Sequence, residues 1–214
     1  MSFLAKFDYI CGDKMTTDMF HPLENLDGYR VILASGSPRR RELLGLLDID
    51  FTVDTSHSVD ETVPEGMDAC DVPVYLSRLK ADAYPLEPGD DRLVIAADTV
   101  VILDGDVLGK PTDEADAITM LSRLSGRKQT VVTGVTVRTY DRSVTFSAVS
   151  GVEFAQLSLD EITYYVNRYR PLDKAGAYGI QEWIGAAAIS GIEGSFYNVM
   201  GLPVHRLYDV LKNL

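Results

Sequence analysis

The stretch Arg92-Leu-Val-Ile-Ala-Ala-Asp-Thr-Val-Val-Ile-Leu-Asp-Gly-Asp-Val-Leu-Gly-Lys-Pro111 leaves this chain few ways to fold. Leu93 to Ala97 and Val100 to Leu103 are continuous apolar runs of strand length. Such runs belong to strands buried on both faces, which need cover from other elements on each side. Asp104-Gly105 is a hairpin dipeptide leading into Val107-Leu108, and Lys110-Pro111 closes the segment where the hairpin returns. Asp98-Thr99 breaks the apolar pattern. A carboxylate between Ala97 and Val100 is partly shielded from water, and a shielded charge has to be paired or bound to metal. The alternative is an aspartate that caps a turn at a strand end.

A second stretch opposes a rule of helix energetics. The apolar run Tyr29 to Ala34 ends in a small-residue loop, after which Ser37 suits an N-cap and Pro38 the first helical position, with Leu43, Leu44 and Leu47 as the apolar stripe. The first turn of a helix carries unpaired N–H groups and partial positive charge, yet this one holds Arg39 and Arg40. A phosphate cradled by loop N–H groups and the Ser35 and Ser37 hydroxyls, with the arginines as forked donors, satisfies all of them. The bland alternative is an exposed arginine cluster that tolerates a small cost.

The rest of the chain alternates strands and helices. Phe51 to Val53 reads as a short strand, Asp54 to Glu65 as a polar loop containing Asp60-Glu61, and Val72 to Tyr84 as a helix with Asp71 as N-cap and Val72, Leu76, Leu79 and Ala83 inward. Arg78 and Lys80 fall off that stripe, as exposed helix charges. A helix from Thr112 or Asp113 buries Ala117, Ile118, Leu121 and Leu124 and stops at Ser125-Gly126. Strands follow over 130–140 and 144–154, then a helix over 159–168 behind the capping box Ser158-Leu-Asp-Glu161. Residues 171–184 form a glycine-containing loop with Asp173, Lys174 and Gln181. The sequence predicts a strand over 186–189, a turn at 191–194, a returning strand over 195–199, and a final helix from Leu202-Pro203 to Leu211. Residues 1–28 show no period and read as an N-terminal extension before a single domain, 29–214.

The 214 residues carry a net charge of −12, which argues against a nucleic-acid polymer or an anionic membrane as partner. A local cluster such as Arg39 to Arg41 still sets the field for a small anion. Cys11 and Cys70 suggest neither a disulfide framework nor a metal pair, no apolar stretch approaches a membrane span, and Lys6, Asp8 and Asp13 interrupt any signal-like core, so the expected compartment is the cytoplasm.

Ser35-Gly-Ser-Pro-Arg-Arg40, Ala97-Asp98-Thr99 with Gly109-Lys110-Pro111, Ser125-Gly126 and Asp173-Lys-Ala-Gly-Ala-Tyr-Gly-Ile-Gln181 together resemble the Maf family of nucleoside triphosphate pyrophosphatases, in the family's order, over about residues 30–212. The resemblance is to the branch that hydrolyses dTTP and UTP. The 7-methyl-GTP-like branch tends to have Ser-Asp-Gln in place of Ala97-Asp98-Thr99 and Ser-Glu-Gly in place of Gly179-Ile180-Gln181. It implies an elongated α/β fold like that of inosine triphosphatase, with a mixed twisted sheet, flanking helices and two lobes around a central cleft. It implies further that Ser35, Ser37, Arg39, Arg40, Lys80, Thr99, Lys110 and Gln181 bind substrate. Asp98 would be the proton acceptor, assisted by Arg40, Glu61 and Lys110, and Glu61 and Asp98 would hold a divalent cation, Mg²⁺ or Mn²⁺. A homodimer is left open. The long extension and Trp183 depart from the family pattern.

The chemistry agrees with the residue types. Cleaving an α–β phosphoanhydride needs charge neutralisation on departing pyrophosphate, a positioned water and a base. Magnesium often takes only one or two carboxylates, so Glu61 and Asp98 suffice; whether Asp98 is base or metal ligand stays open at this level. The rival readings are a nucleotide-binding module that affects cell division without turnover, and a phosphatase acting on monophosphates or proteins. Surplus carboxylates, which would repel a merely bound phosphate, favour catalysis.

Overall fold

The computed structural model describes residues 21–214. Residues 1–20 of the expected extension, including Cys11, lie outside the described residues. The rest of that segment is docked: a short 3₁₀ turn, Glu24–Leu26, buries Leu23 and Leu26 in the main core, and Asn25 Nδ2 donates to Leu211 O at 2.9 Å. Packing therefore begins before residue 29. Two leucines three apart are too short a pattern to announce it.

The elements in chain order are β1 (Arg30–Leu33), α1 (Pro38–Gly45), β2 (Thr52–Val53), α2 (Val72–Asp82), β3 (Arg92–Leu103), β4 (Asp106–Leu108), α3 (Glu114–Leu124), β5 (Lys128–Arg138), β6 (Ser143–Phe154), α4 (Leu159–Tyr169), α5 (Trp183–Ala188), β7 (Ile189–Glu193), α6 (Phe196–Met200) and α7 (Val204–Lys212). The strands form one mixed sheet ordered β2-β1-β3-β5-β6-β7, with β4 also paired to β3. β1 runs parallel to β2 and β3, and β3, β5, β6 and β7 are successively antiparallel, which is the mixed α/β architecture expected.

Both apolar runs of the 92–103 segment belong to a single 12-residue strand. Asp98-Thr99 does not end it, because the ladder to β5 continues through Asp98↔Gly134 and Thr99↔Thr133. Successive side chains on a strand point to opposite faces. Leu93, Ile95, Ala97, Val101 and Leu103 enter the main core, whereas Val94, Val100 and Ile102 lie on the face covered by α2 and the adjoining Tyr84. The hairpin turn has positive φ at Asp104 (55°) and Gly105 (88°), the left-handed pair that a two-residue connection requires.

Most helix starts follow the sequence. Ser37 caps α1, Asp113 caps α3, and Ser158 with Glu161 closes a reciprocal capping box on α4. Asp71 precedes α2 but makes no capping bond with its side chain. The C-terminal third departs further. The run 186–189, expected as a strand, is mostly the end of α5, because three alanines favour a helix and four apolar residues carry no usable period. The strand lies over the expected turn, where β7 pairs with β6. The expected returning strand is α6, capped by Ser195 Oγ accepting from Asn198 N and stopped by left-handed Gly201. Among the described residues no helix is long and apolar enough to cross a membrane.

Candidate active site

β3 is unpaired on one side at its centre. β1 stays in register with it only to Ile95, where Ala34 N donates to Ile95 O at 2.8 Å before the chain turns into the 35–37 loop; β4 joins it only at Val101. Ala97 and Thr99 alternate with Ile95 and Val101, so their N–H and C=O groups face the gap, without backbone partners among the described residues. A cleft of about 680 Å³ fills this interruption. Ser35, Ser37, Arg39, Arg40, Glu61, Lys80, Asp98, Thr99, Lys110 and Gln181 all line it, although they come from six separate stretches of chain.

Strand alternation divides the two polar residues at the centre of β3. Asp98 points to the α2 face, where Lys80 Nζ lies 2.7 Å from its Oδ1 and 3.0 Å from Glu61 Oε2. Side-chain exposure is 14% for Asp98, 18% for Lys80 and 53% for Glu61, so the lysine and the aspartate form a shielded pair and the glutamate is its solvent-side member. Lys80 is thus not the exposed helix charge its position off the stripe suggests; Arg78 is. Asp98 Oδ2 has no hydrogen-bond partner among the described residues. The partner of Asp98 in the ladder, Gly134, lets α2 approach: a Cβ there would stand 2.2 Å from Pro73 O.

Thr99 points to the other face and meets Arg40. Arg40 donates from Nε to Gly201 O (2.9 Å), from one terminal nitrogen to Ser35 Oγ (3.3 Å) and from the other to Thr99 Oγ1 (3.0 Å). The arginine expected to sit as an unfavourable charge awaiting an anion is instead clamped by neutral oxygens of three segments, leaving two of its five N–H donors over. Burial lowers its pKa from the usual arginine value, and Asp98 opposes that shift.

Arg39 is held differently, by Asp173 Oδ2 at 2.8 Å. Asp173 Oδ1 accepts from Lys174 Nζ at 2.7 Å, Lys174 also pairs with Glu182 Oε1 at 3.1 Å, and Glu182 accepts from the Tyr165 hydroxyl. The sequence shows Asp173 and Lys174 only as polar loop residues and gives no sign that Glu182 and Tyr165 join them, since Tyr165 comes from α4 and the contact is long-range. His57 and Tyr84 were missed as well. Their rings pack on the cleft wall with centroids 4.4 Å apart, tilted by 55°, and Tyr84 donates to Asp54 O at 2.8 Å, with burial pushing its phenol up to about 12. Lys110 and Gln181 are exposed at the rim and have no ion-pair or hydrogen-bond partner among the described residues. Trp183 opens α5 and packs edge-on against Tyr164, outside the lining of the cleft.

Among the described residues no group of three or more His, Cys, Asp or Glu side chains gathers as a cage. Glu61 and Asp98 line one cleft and each keeps an oxygen that Lys80 does not take, however, and two such carboxylates fit a hard cation that draws its other ligands from phosphate oxygens and water.

A family model described as Maf-like protein matches residues 30–214. The dTTP/UTP pyrophosphatase of Porphyromonas gingivalis is 54% identical over 193 residues, covering 89% of this chain and 97% of that protein. Proteins of the same description from Bacteroides thetaiotaomicron (52% over 194 residues, 90% and 100%) and Parabacteroides distasonis (51% over 191 residues, 89% and 99%) are similar. Among solved structures, a HAM1 protein from Coxiella burnetii matches 87% of this chain and 100% of its own, with 18% identity and a TM-score of 0.49.

Proposed function

The chain belongs to the Maf family, and from that premise we propose that its cleft hydrolyses dTTP and UTP to the nucleoside monophosphate and pyrophosphate, with a role in clearing nucleotide pools. It is a nucleoside triphosphate pyrophosphatase, a hydrolase. The observation that carries the finer reading is the arrangement of opposite charges across one gap. Arg39, Arg40 and Lys110 stand at the cleft on the α1 and β4 sides, and the Asp98–Lys80–Glu61 group on the α2 side.

In this reading the triphosphate lies at the α1 N-terminus, where loop N–H groups, the Ser35 and Ser37 hydroxyls and the remaining donors of Arg39 and Arg40 meet its oxygens. Water attacks the α-phosphorus, Asp98 takes the proton on Oδ2, and the bridging oxygen leaves with pyrophosphate. Lys80 holds Oδ1, which fixes the direction of the other oxygen. Lys110 and the arginines stabilise charge on the leaving group. Glu61 and Asp98 would hold Mg²⁺ or Mn²⁺, which when bound neutralises phosphate charge. Gln181, which lines the cleft with an amide donor and acceptor uncommitted among the described residues, would read the edge of a thymine or uracil base.

Hydrolysis in ¹⁸O-labelled water with product identification tests the reading. Label in the monophosphate and none in pyrophosphate is expected; inorganic phosphate plus a nucleoside diphosphate would overturn the site of attack, and faster turnover of purine triphosphates would overturn the choice of base. Binding of dTTP without turnover under these conditions would restore the regulatory-module reading.

A further inference from the structure

Behind Arg39 runs a chain of four residues that no step of the proposed chemistry uses. Tyr165, fully buried in α4, accepts from Gly179 N at 3.0 Å and donates to Glu182. Burial and the glutamate push the Tyr165 phenol well above its ordinary value, so it stays a donor. Glu182 pairs with Lys174, whose side chain is 9% exposed, and Lys174 pairs with Asp173, which reaches out of the 171–184 loop to Arg39. The loop is pinned from its far side as well. Gly176 N donates to Gly109 O at 3.0 Å, beside Lys110, and Gly176 has a φ of 67° with Val101 side-chain atoms 3.0–3.2 Å from where a Cβ would be.

Lys174 has little exposure, and its charge is balanced by carboxylates on both sides. Asp173, by contrast, is 54% exposed and spends one oxygen on Lys174 and the other on a single terminal nitrogen of Arg39. Arg39 Nε and its second terminal nitrogen have no partner among the described residues. Arg39, 19% exposed, and Asp173 line the same cleft side by side; an arginine held by one terminal nitrogen with its other donors uncommitted is available to a ligand there, and a neighbouring carboxylate is a common way to fix it.

We propose that Asp173, anchored through Lys174, Glu182 and Tyr165, is a positioning residue for the triphosphate: it acts through Arg39, holding that guanidinium so that its free donors meet phosphate. The inference rests on the reading of Arg39 as a phosphate ligand. It gives the buried charges of the 171–184 loop a function distinct from the base contact assigned to Gln181.

The test is a double-mutant cycle on the full chain with dTTP, using Arg39→Ala, Asp173→Asn and the pair. Asp173→Asn should raise KM about five- to tenfold with kcat within twofold, and Asp173→Glu should recover part of the loss. In the Arg39→Ala background the same substitution should change KM by less than about twofold. An equal KM effect in both backgrounds, or tighter binding by Asp173→Asn, would overturn the positioning role while leaving Arg39 a phosphate ligand. An Arg39→Ala enzyme with unchanged KM would overturn both. Should Asp173→Asn fail to fold, Glu182→Gln enters the cycle in its place, with the same expected dependence on Arg39.

Discussion

On its β5 side, β3 is hydrogen-bonded in unbroken register from Val94↔Arg138 to Ile102↔Thr130, whereas on its other side pairing with β1 stops at Ile95 and pairing with β4 resumes at Val101. The first edge is closely packed: Val131, Val132, Thr133 and Val135 are buried, and Gly134 lies under the backbone of α2. The second edge borders the cleft and collects cations, carboxylates and uncommitted donors. One strand can serve both ends because the ladder with β5 fixes its geometry independently of the gap. Asp98 and Thr99 can then face opposite sides of the sheet within one cleft, each held by a cation from a different element. If this division holds, changes at the gap should alter activity with little effect on stability, and changes along the ladder should do the reverse.

The largest expected effect is at the gap. Asp98→Asn keeps the size of the side chain and its place in the β3–β5 ladder but removes the proposed base and one negative charge, so kcat should fall on the order of 10²- to 10⁴-fold, with a far smaller loss of stability because the amide oxygen can still accept from Lys80 and Glu61 still pairs with it. A variant retaining more than about a tenth of wild-type kcat, a loss of less than roughly 1.4 kcal/mol, would show that Asp98 is not central. On the ladder, Gly134→Ala forces a methyl group against Pro73 O and Val74 N. A cost of about 1–3 kcal/mol is expected, read in a thermal melt as a drop of roughly 2–10 °C. Activity at a temperature where the variant is folded should fall far less than in Asp98→Asn. An unchanged melting temperature with abolished turnover would break the distinction between the two edges.

The adjacent arginines make the same comparison at closer range. Arg40 ties α1 to Gly201, to Ser35 and to β3 through three hydrogen bonds, so Arg40→Ala should lower stability by about 1–3 kcal/mol as well as raise KM. Arg39 meets only the half-exposed Asp173, and Arg39→Ala should raise KM with a melting temperature within about 1 °C of wild type. Paired melts and KM values on the two variants decide this. Equal losses of stability would mean that the first turn of α1 is one structural cluster and not a clamp beside a ligand.

The parts of this arrangement that the sequence carried are those governed by local rules. Strand-length apolar runs, the Asp104-Gly105 turn, the Ser37, Asp113 and Ser158 caps and the arginine-loaded first turn of α1 each leave a signature within a few residues. What it did not carry depends on contacts across long separations. Nothing near Arg40 announces that Gly201, 161 residues away, accepts from it, nor that Asp173 stands 134 residues from Arg39. The continuity of β3 through Asp98 is likewise decided by Gly134 and Thr133 on another strand. Short apolar runs such as 186–189 have no period that could separate helix from strand, and the partner strand that settles the matter is β6, far upstream. The family resemblance supplied the grouping of Asp98, Glu61 and Lys80 that the residues alone left as a solvated loop carboxylate and two unrelated charges.

The smallest expected effect concerns Asp173, where the comparison becomes quantitative in pH. Burial pushes this carboxyl upward, but hydrogen bonds from Lys174 and Arg39 more than offset it and hold its pKa below the ordinary carboxylate value. A carboxylate whose pKa is lower in the folded state stabilises the protein above its unfolded pKa, about 3.9, and the contribution disappears as pH falls through the folded value. Asp173 is more than half exposed, so solvent screening limits that contribution to a few tenths of a kcal/mol. The melting temperature of wild type should therefore exceed that of Asp173→Asn by about 1 °C or less at pH 7, and the difference should shrink as pH is lowered below about 4. A difference of many degrees at neutral pH would place Asp173 among the structural residues, on the same footing as the ladder edge of β3. A small, acid-sensitive difference beside a several-fold rise in KM would separate the energy that holds the fold from the geometry that aims Arg39 at its ligand.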